Sequence, residues 1–455
     1  LHYYVAPETF FNTVNLYDTV SRGNFKIYIG EYAVNSNVGS GTLEGALAEA
    51  SFMFGIEHNS DLVTIASYAP LLENINWQHW PTNLIRFKND SVFGRSSYYV
   101  QKMFNENKPD VTLQTTLDLV KPEESISGKV GFAAIAYTDN SATKVKDFSV
   151  TEGSVIKYSS EFPADTAKWK ITGSWAVAEN AISTGDLKDL SYLSPARLYV
   201  QGNPKGSEVP VRLTSGGSLI LNDLVFNNCT ISANVMIDSV FNGFNIRFGV
   251  VDDKNYYTLT ISNPRMRRFF MPGSLSGNQN QPAKYVASVE HVVNGASLRL
   301  GTIGSSFDFN MGTWHNIKVS INGKMIACTV DDNNLGEIEC KCLRKQHAVA
   351  GYDNDNGEVI VKVVNGEDTP FSTEINLTNA EKVEPIGQII TLSSVSDKDD
   401  NSFAEPKKVS PVVSEHKGFS NSFKMEFKPN SFTILRICRF HGSGDGALVQ
   451  RDPDR

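Results

Sequence analysis

Two kinds of apolar spacing alternate along the first hundred residues. Unbroken runs of β-branched and aromatic residues are typical of buried strands, and apolar residues three or four positions apart are typical of helices facing a core. Strands are predicted at 1–5, 25–31 and 62–68, and helices at 7–22, 43–55 and 98–104. The resulting order of strand and helix predicts the repeated β/α unit of a parallel sheet or barrel.

The pattern changes after Pro109. Helical spacing disappears, and short alternating runs are separated by clusters of Gly, Asn, Asp, Ser and Pro, which predicts β-sandwich structure. Asn322-Gly323 lies between two such runs and is a strong hairpin signal. We therefore expect a multidomain chain, α/β plus all-β, with a disordered polar tail. The expected domains are 1–108, 109–347 and 348–437, with the tail at 438–455.

Composition narrows the function classes. The 455 residues are 40% hydrophobic and 20% charged, as in soluble globular proteins, and no apolar run reaches the length of a membrane span. A net charge of −8 argues against a nucleic-acid surface. The five cysteines have neither disulfide-framework nor zinc spacing, and phosphate-cradling and dinucleotide motifs are absent. The sequence thus implies no metal and no cofactor.

Glu31 is the acid that stands out, because it follows Gly30 at the end of the predicted strand 25–31. In β/α barrels, catalytic groups lie at the carboxyl ends of the strands. The alternative is a solvated acid, or one that caps the next helix. From spacing alone this alternative is favoured, since single acids after strands are common.

Several stretches in the same order resemble the α-L-arabinofuranosidases of glycoside hydrolase family 51. They are 29–34 (IGEYAV), 43–50 (LEGALAEA), 59–63, 66–71, 80–85 and 97–101, and further on 357–365, 401–409 and 430–436. The resemblance covers roughly 1–108 and 348–437. The middle segment, through 312–319 (GTWHNIKV), is similar at lower specificity to concanavalin-like or laminin-G-like sandwiches.

This resemblance implies the C-terminal part of a (β/α)8 barrel, followed by a concanavalin-like β-sandwich and a C-terminal β-sandwich. It implies a retaining enzyme that releases terminal arabinofuranosyl residues from polysaccharides such as arabinan and arabinoxylan. Glu31 falls on the family's nucleophile. His2 and Tyr4 fall on positions that support the nucleophile and contact the sugar. Asn74 and Trp80 would lie at the rim of the pocket.

The family's acid/base glutamate belongs to an Asn-Glu pair after an earlier strand, which this sequence does not contain. Asn105-Glu106 ends a predicted helix before Pro109 and is interpreted as a solvated helix end. We therefore expect that the upstream part of the barrel is required and that this chain alone is inactive. Leu1 does not resemble a natural start, so the native polypeptide is expected to extend upstream.

The sequence leaves three questions open. The chain could instead be a non-catalytic carbohydrate-binding or structural β-sandwich fragment. Trp77, His79 and Trp80 could simply roof the barrel, or an aromatic ring among them could stack on a sugar ring. The first residues carry no localisation signal, and the substrate class favours a secreted or periplasmic protein.

Overall fold

The chain separates into two compact units in a computed structural model. Unit 1 combines Leu1–Leu119 with Leu343–Arg455, and unit 2 is Val120–Cys342. The structure describes residues 1–35, 40–77, 80, 82–118, 125–136, 143–162, 164–173, 175–178, 181–184, 214–238, 242–263, 284–340, 343–378, 380 and 382–439. Most of the predicted tail therefore lies outside the described residues. Within them, no helix is long and apolar enough to cross a membrane.

The first part of unit 1 alternates strands and helices, as the spacing predicts. Its elements are β1 (His2–Val5), α1 (Pro7–Asn12), β2 (Ile27–Val34), α2 (Leu43–His58), β3 (Val63–Tyr68), β4 (Leu72–Asn74), β5 (Ile85–Lys88), β6 (Ser91–Gly94) and α3 (Ser96–Glu106). Strands β1, β2 and β3 form a parallel sheet in that order. The described residues thus contain three neighbouring parallel strands with intervening helices, and a complete barrel stays a prediction.

Helix α1 is much shorter than the predicted helix at 7–22. It ends at Asn12, and the Thr13 hydroxyl donates to the Thr9 carbonyl oxygen at 2.8 Å. Turns follow, in which Val14 and Val20 still pack against the core. The apolar spacing was correct about burial but wrong about helix, because Asn and Thr disfavour helix interiors and satisfy backbone groups in turns.

Helix α2 is buried on nearly all sides, which corrects the prediction of an amphipathic helix. Almost every residue from Leu43 to Gly55 is buried, including Glu44 and Glu49. The helix contacts β2 and β3 on one side and strands of the C-terminal sheet on the other. A helix packed between two layers of one unit needs no polar face.

The predicted loop after β3 also contains structure. Strands β4, β5 and β6 form a small separate sheet, with Ile75–Trp77 as a short 3-10 turn. Strands of three or four residues are too short for periodicity to reveal them.

The C-terminal part of unit 1 contains a six-stranded sheet in the order β28-β27-β30-β25-β24-β7 and a two-stranded sheet, β26-β29. Its strands are β7 (Val111–Leu113), β24 (Gln346–Asp353), β25 (Glu358–Asn365), β26 (Phe371–Asn376), β27 (Ile386–Ser393), β28 (Val412–Lys417), β29 (Ser422–Phe427) and β30 (Ser431–Cys438). Because β7 pairs with β24, residues 111–113 lie in this sheet and not in the expected middle domain at 109–347.

Strand β25 is buried along its whole length, because both faces of the sheet are covered. Val361 and Val363 pack into one core cluster, whereas Ile360 and Val364 pack into the cluster that also contains the residues of α2. Lys362, on the helix side, is completely buried and forms an ion pair with Glu57 near the end of α2. The C-terminal sheet therefore packs against α2.

Unit 2 is a β-sandwich of two antiparallel sheets around one core. One sheet has the order β12-β13-β9-β16-β21-β22-β23 with β10 beside β9; the other, which we call sheet 2, has the order β11-β14-β8-β17-β18-β19-β20 with β15 beside β8. Both supply buried side chains to the same core, such as Ile231 and Phe244. Gly323, with φ of +58°, makes the predicted hairpin between β21 and β22.

The strands of unit 2 are β8 (Ser127–Ala136), β9 (Thr143–Glu152), β10 (Val155–Ser159), β11 (Trp169–Thr172), β12 (Trp175–Ala178), β13 (Ala181–Thr184), β14 (Thr214–Leu221), β15 (Phe226–Asn227), β16 (Cys229–Ile237), β17 (Asn242–Val250), β18 (Tyr256–Ser262), β19 (Lys284–Val293), β20 (Ala296–Asp308), β21 (His315–Asn322), β22 (Met325–Val330) and β23 (Asn333–Glu339), with a 3-10 turn at Thr166–Lys168.

Candidate active site

Glu31 lies in β2, the central strand of the three-stranded parallel sheet. The strand continues to Val34, three residues beyond its predicted end, because residues 32–34 are apolar and fully buried. The parallel register places His2 of β1 beside Glu31. The Glu31 side chain is 35% exposed, so its carboxylate is open to solvent although the next three residues of the strand are buried.

Gly30 makes room for the His2 side chain. A Cβ at position 30 would lie 2.9 Å from His2 Nε2, closer than real Cβ contacts allow. The Gly30 N–H donates to the Leu1 carbonyl oxygen at 2.8 Å. With the imidazole seated over the glycine, His2 Nδ1 lies 3.2 Å from Glu31 Oε2. The glycine before the acid thus serves close approach, which the sequence shows only as a strand breaker.

Tyr4 holds the same carboxylate oxygen. Its hydroxyl donates to Glu31 Oε2 at 2.7 Å. Burial raises the pKa of Tyr4, and the hydrogen bond to the negatively charged Glu31 raises it further. The phenol therefore keeps its proton at neutral pH and remains a donor. In the described residues both contacts go to Oε2, and Glu31 Oε1 has no recorded partner.

Trp80 lies against Tyr4, with ring centroids 4.8 Å apart and planes tilted by 45°. Its Nε1 donates to Asn35 Oδ1 at 2.8 Å, directly after the end of β2. The Thr82 hydroxyl donates to the Val34 carbonyl oxygen at 3.2 Å. Two contacts thus connect the segment containing Trp80 to the end of β2, and Trp80 packs on the tyrosine that holds Glu31.

Asn74 makes a local hydrogen bond. It ends β4 in the small separate sheet, and its Oδ1 accepts the Asn76 N–H at 3.1 Å. Among the described residues, Asn74 has no hydrogen bond to His2, Tyr4, Glu31 or Trp80. Of the five residues singled out by the resemblance, the structure brings four together in one chain of contacts.

Three residues that support this group were not singled out from the sequence. Asn35 and Thr82 anchor the segment containing Trp80, and short polar residues in loops carry no specific signal. Glu49 is fully buried in α2, and its Oε1 accepts the Val34 N–H at 2.8 Å and the Tyr68 hydroxyl at 3.2 Å. An acid inside the apolar run of α2 was a detectable signal.

Burial raises the pKa of Glu49 to about 7, although hydrogen bonds from the Val34 N–H and the Tyr68 hydroxyl and the charge of Arg95 oppose the rise. This carboxyl connects the ends of β2 and β3, where direct pairing between the two strands has stopped at Tyr32 and Tyr68. The described residues contain no group of three or more acidic, His or Cys side chains arranged to hold a metal ion.

Comparison with known proteins gives consistent results. A family model described as the α-L-arabinofuranosidase C-terminal domain matches residues 30–431. An extracellular exo-α-L-arabinofuranosidase from Streptomyces chartreusis is 29% identical over 445 residues, which cover 96% of this chain and 47% of that protein. α-L-Arabinofuranosidase 1 from Arabidopsis thaliana is 39% identical over 117 residues, 26% of this chain and 17% of that protein.

A solved structure of an arabinose-bound α-L-arabinofuranosidase of glycoside hydrolase family 51 aligns with a TM-score of 0.45 and 15% identity, covering 96% of this chain and 36% of that one. The chain thus spans about half the length, or less, of these relatives. The family model covers most of the chain, and it confirms the resemblance stated from the sequence. The chain belongs to the α-L-arabinofuranosidase family and contains its C-terminal domain.

Proposed function

We propose that Glu31 is the nucleophile of a retaining α-L-arabinofuranosidase that removes terminal arabinofuranosyl residues from plant polysaccharides such as arabinan and arabinoxylan. The observation that supports this most directly is the pair of contacts from Tyr4 and His2 to a single oxygen of Glu31. A retaining glycosidase needs one ionised carboxylate placed to attack the anomeric carbon.

The geometry suits that role. The hydrogen bond from the Tyr4 hydroxyl to Oε2 fixes the plane of the Glu31 carboxylate. Since both contacts use Oε2, Oε1 is the oxygen that would attack. His2, at 3.2 Å, would add a second donor when its Nδ1 carries a proton. Trp80 would contact the sugar beside Tyr4, and Asn74 would contact a more distant part of the substrate.

A retaining reaction also needs a second carboxyl group about 5–5.5 Å from the nucleophile to protonate the leaving oxygen. We propose that this group comes from barrel strands N-terminal to Leu1, so that the chain alone is inactive. The Streptomyces relative, about twice as long, supports this proposal. So do Tyr28 and Ile65, which lie on neighbouring strands of the parallel sheet and are more than half exposed.

We also propose a secreted or periplasmic protein, since polymeric substrates lie outside the cell. The name of the Streptomyces relative, an extracellular enzyme, supports this weakly.

The test compares the 455-residue chain with a version extended upstream, using an aryl α-L-arabinofuranoside. The extended protein should hydrolyse it and the shorter chain should not. Glu31→Ala should reduce the rate by at least about 1,000-fold, and added azide should partly restore it by replacing the missing nucleophile. Tyr4→Phe should lower the rate by about 10- to 100-fold.

Glu106→Ala is the matched control, because Glu106 is an exposed acid at the end of α3. Its rate should equal that of the unmodified protein. If Glu31→Ala retains the full rate, Glu31 is not the nucleophile. If the extended protein is inactive while folded, the non-catalytic alternative replaces the enzyme proposal.

A further inference from the structure

A loop of the C-terminal sheet packs against the beginning of α2. The loop connects β27 with β28 and contains 401–409, one of the stretches that resemble the arabinofuranosidases. The Asp399 carbonyl oxygen accepts the Leu43 N–H at 2.8 Å. The Asp397 carbonyl oxygen accepts the Glu44 N–H at the same distance. The first turn of a helix leaves such N–H groups unpaired, so the loop completes the start of α2.

The loop also contacts the end of β6. Asn401 Nδ2 donates to the Gly94 carbonyl oxygen at 2.9 Å, and Asn401 Oδ1 accepts the Val409 N–H at 2.7 Å. The Phe403 ring lies edge-on to Phe93, with ring centroids 4.8 Å apart. The loop is therefore anchored on two elements of the α/β part of unit 1, and its own conformation is fixed by Asn401.

Asp400 lies between these anchors and pairs with Arg95. Asp400 Oδ2 accepts from Arg95 Nε at 2.9 Å and from Nη2 at 2.7 Å. The Arg95 side chain is 5% exposed and the Asp400 side chain 22% exposed. Arginine keeps its charge, and a buried charge is tolerated only with a partner. Asp400 thus fixes where the guanidinium of Arg95 lies.

Arg95 in turn holds the backbone that follows β2. Its Nη2 donates to the Ser40 carbonyl oxygen at 2.7 Å. Gly41, with φ of +78°, permits this approach, since a Cβ there would overlap the guanidinium. The Ser40 hydroxyl oxygen lies 2.9 Å from that of Thr82. Because the Thr82 proton is used by the Val34 carbonyl oxygen, Ser40 is the donor in this contact.

The contacts continue from Thr82 to Trp80. The Thr82 hydroxyl oxygen lies 3.3 Å from Asn35 Oδ1, the atom that accepts from Trp80 Nε1 at 2.8 Å. Trp80 packs on Tyr4. A continuous set of polar contacts therefore leads from Asp400, in the C-terminal sheet's loop, to the ring beside the tyrosine that holds the candidate nucleophile.

We propose that Asp400 is a positioning residue, which places Trp80 for sugar binding through the contacts of Arg95 and Thr82. A ring that is already fixed loses less freedom when the sugar binds, so the substrate is held more tightly. The loop of the C-terminal sheet thereby assists the reaction without touching the substrate. The contact between Trp80 and the sugar rests on the proposed function, whereas the coupling of Asp400 to Trp80 rests on the hydrogen bonds alone.

Fluorine NMR of the complete 455-residue chain, labelled with 5-fluorotryptophan, tests the coupling without requiring activity. The chain has five tryptophans, and the resonance that is missing from Trp80→Phe belongs to Trp80. Asp400→Ala should shift or broaden this resonance. Asp400→Asn keeps a neutral acceptor and should have a smaller effect. The resonance of Trp169, which lies in unit 2, should not move.

Kinetics of the upstream-extended protein on an aryl α-L-arabinofuranoside test the consequence for binding. Asp400→Ala should raise KM about 3- to 10-fold, as for one lost hydrogen bond, and change kcat by less than about 2-fold. A merely structural role would reduce the folded fraction and lower kcat at unchanged KM. Thr82→Val should raise KM similarly, and combining it with Asp400→Ala should raise KM no further, because both interrupt the same set of contacts.

Asp61→Ala is the matched control, because it also removes an aspartate that pairs with an arginine in unit 1. Arg22 and Asp61 precede β2 and β3, at the opposite end of the parallel strands. Glu57→Gln controls for stability, since it breaks a buried ion pair elsewhere in unit 1 and should lower the Tm. Both variants should leave KM and the Trp80 resonance unchanged. If Asp400→Ala does not fold, Asp400→Asn and Thr82→Val carry the test.

The inference is overturned if the Trp80 resonance of folded Asp400→Ala matches that of the unmodified chain, or if either control moves it equally. Unchanged KM, or additive effects of Asp400→Ala and Thr82→Val, would also overturn it. A shifted Trp80 resonance with no activity in any extended protein would refute only the proposed enzyme function. Activity with a Trp80 resonance and a KM that are insensitive to Asp400 would refute only this inference.

Discussion

Removal of Glu57 should destabilise unit 1 more than removal of any exposed ion pair, because it leaves the buried charge of Lys362 without a partner. The Lys362 side chain is 1% exposed and its ammonium pairs with Glu57, whose side chain is 16% exposed. The Phe104 ring, 4.8 Å from Nζ, offers only weak compensation. Glu57→Gln should therefore cost about 3–5 kcal/mol.

Deprotonation of the unpaired lysine would cost about as much. If Lys362 loses its proton in the variant, this deprotonation costs about 5 kcal/mol at pH 7. The reason is that pH 7 lies 3.5 units below the ordinary lysine pKa of 10.5 and each unit corresponds to about 1.36 kcal/mol. Folded Glu57→Gln would then hold fewer protons than the unfolded chain. Its stability should rise as pH increases from 7 towards 10, a trend that identifies the neutral lysine.

Restoring an uncharged pair should recover stability. Glu57→Gln combined with Lys362→Met should lie within about 1 kcal/mol of the unmodified chain. Urea unfolding measures the free energy of unfolding of the whole chain, and hydrogen exchange of peptides from β25 and β30 reports the stability of unit 1 alone. The control Lys318→Met removes an exposed partner of Asp332 in unit 2 and should lose far less. Equal losses for Glu57→Gln and this control would refute the reasoning.

Gly55→Ala should lower the Tm although alanine favours helices, because its Cβ would lie 2.0 Å from the Val14 carbonyl oxygen; the expected loss is about 1–3 kcal/mol, and a higher Tm would contradict the packing. Burial raises the pKa of Glu49 to about 7 from 4.5, so stability falls as pH rises between these values; Glu49→Gln should flatten that slope in urea titrations. Burial lowers the pKa of His291 to about 4 from 6.5, so up to about 3 kcal/mol of folding stability is lost as pH falls through this range. The His291→Phe variant should keep that stability at low pH in thermal melts.

The sequence was most informative where local pattern and final environment agree. The β-branched run before Glu31 became β2, and the apolar run at 62–68 became β3. The pattern was insufficient where distant segments decide the environment. Lys362 alternates with valines in its strand, which predicts a solvated position. It is buried because Glu57, 305 residues earlier, faces it.

The candidate site divides in the same way. Glu31, His2 and Tyr4 were identified by the family resemblance, and their contacts follow from the parallel register of two strands. The positions of Trp80 and Asn74 depend on the loop after β3, which contains small strands that periodicity does not detect. The resemblance places both residues at one rim; the Trp80 ring packs on Tyr4, whereas Asn74 makes its described hydrogen bond within its own turn.

The pairing of β7 with β24 determines how the chain would carry mechanical load. The polypeptide leaves unit 1 just after one of these strands and returns just before the other, and the two are antiparallel neighbours in one sheet. Tension applied between the two chain termini therefore passes through the contacts inside unit 1. Unit 2 is inserted in the chain between β7 and β24, so this path does not include it and it bears no tension until unit 1 unfolds. Pulled from its ends, the molecule would extend first in unit 1, with the sandwich still folded.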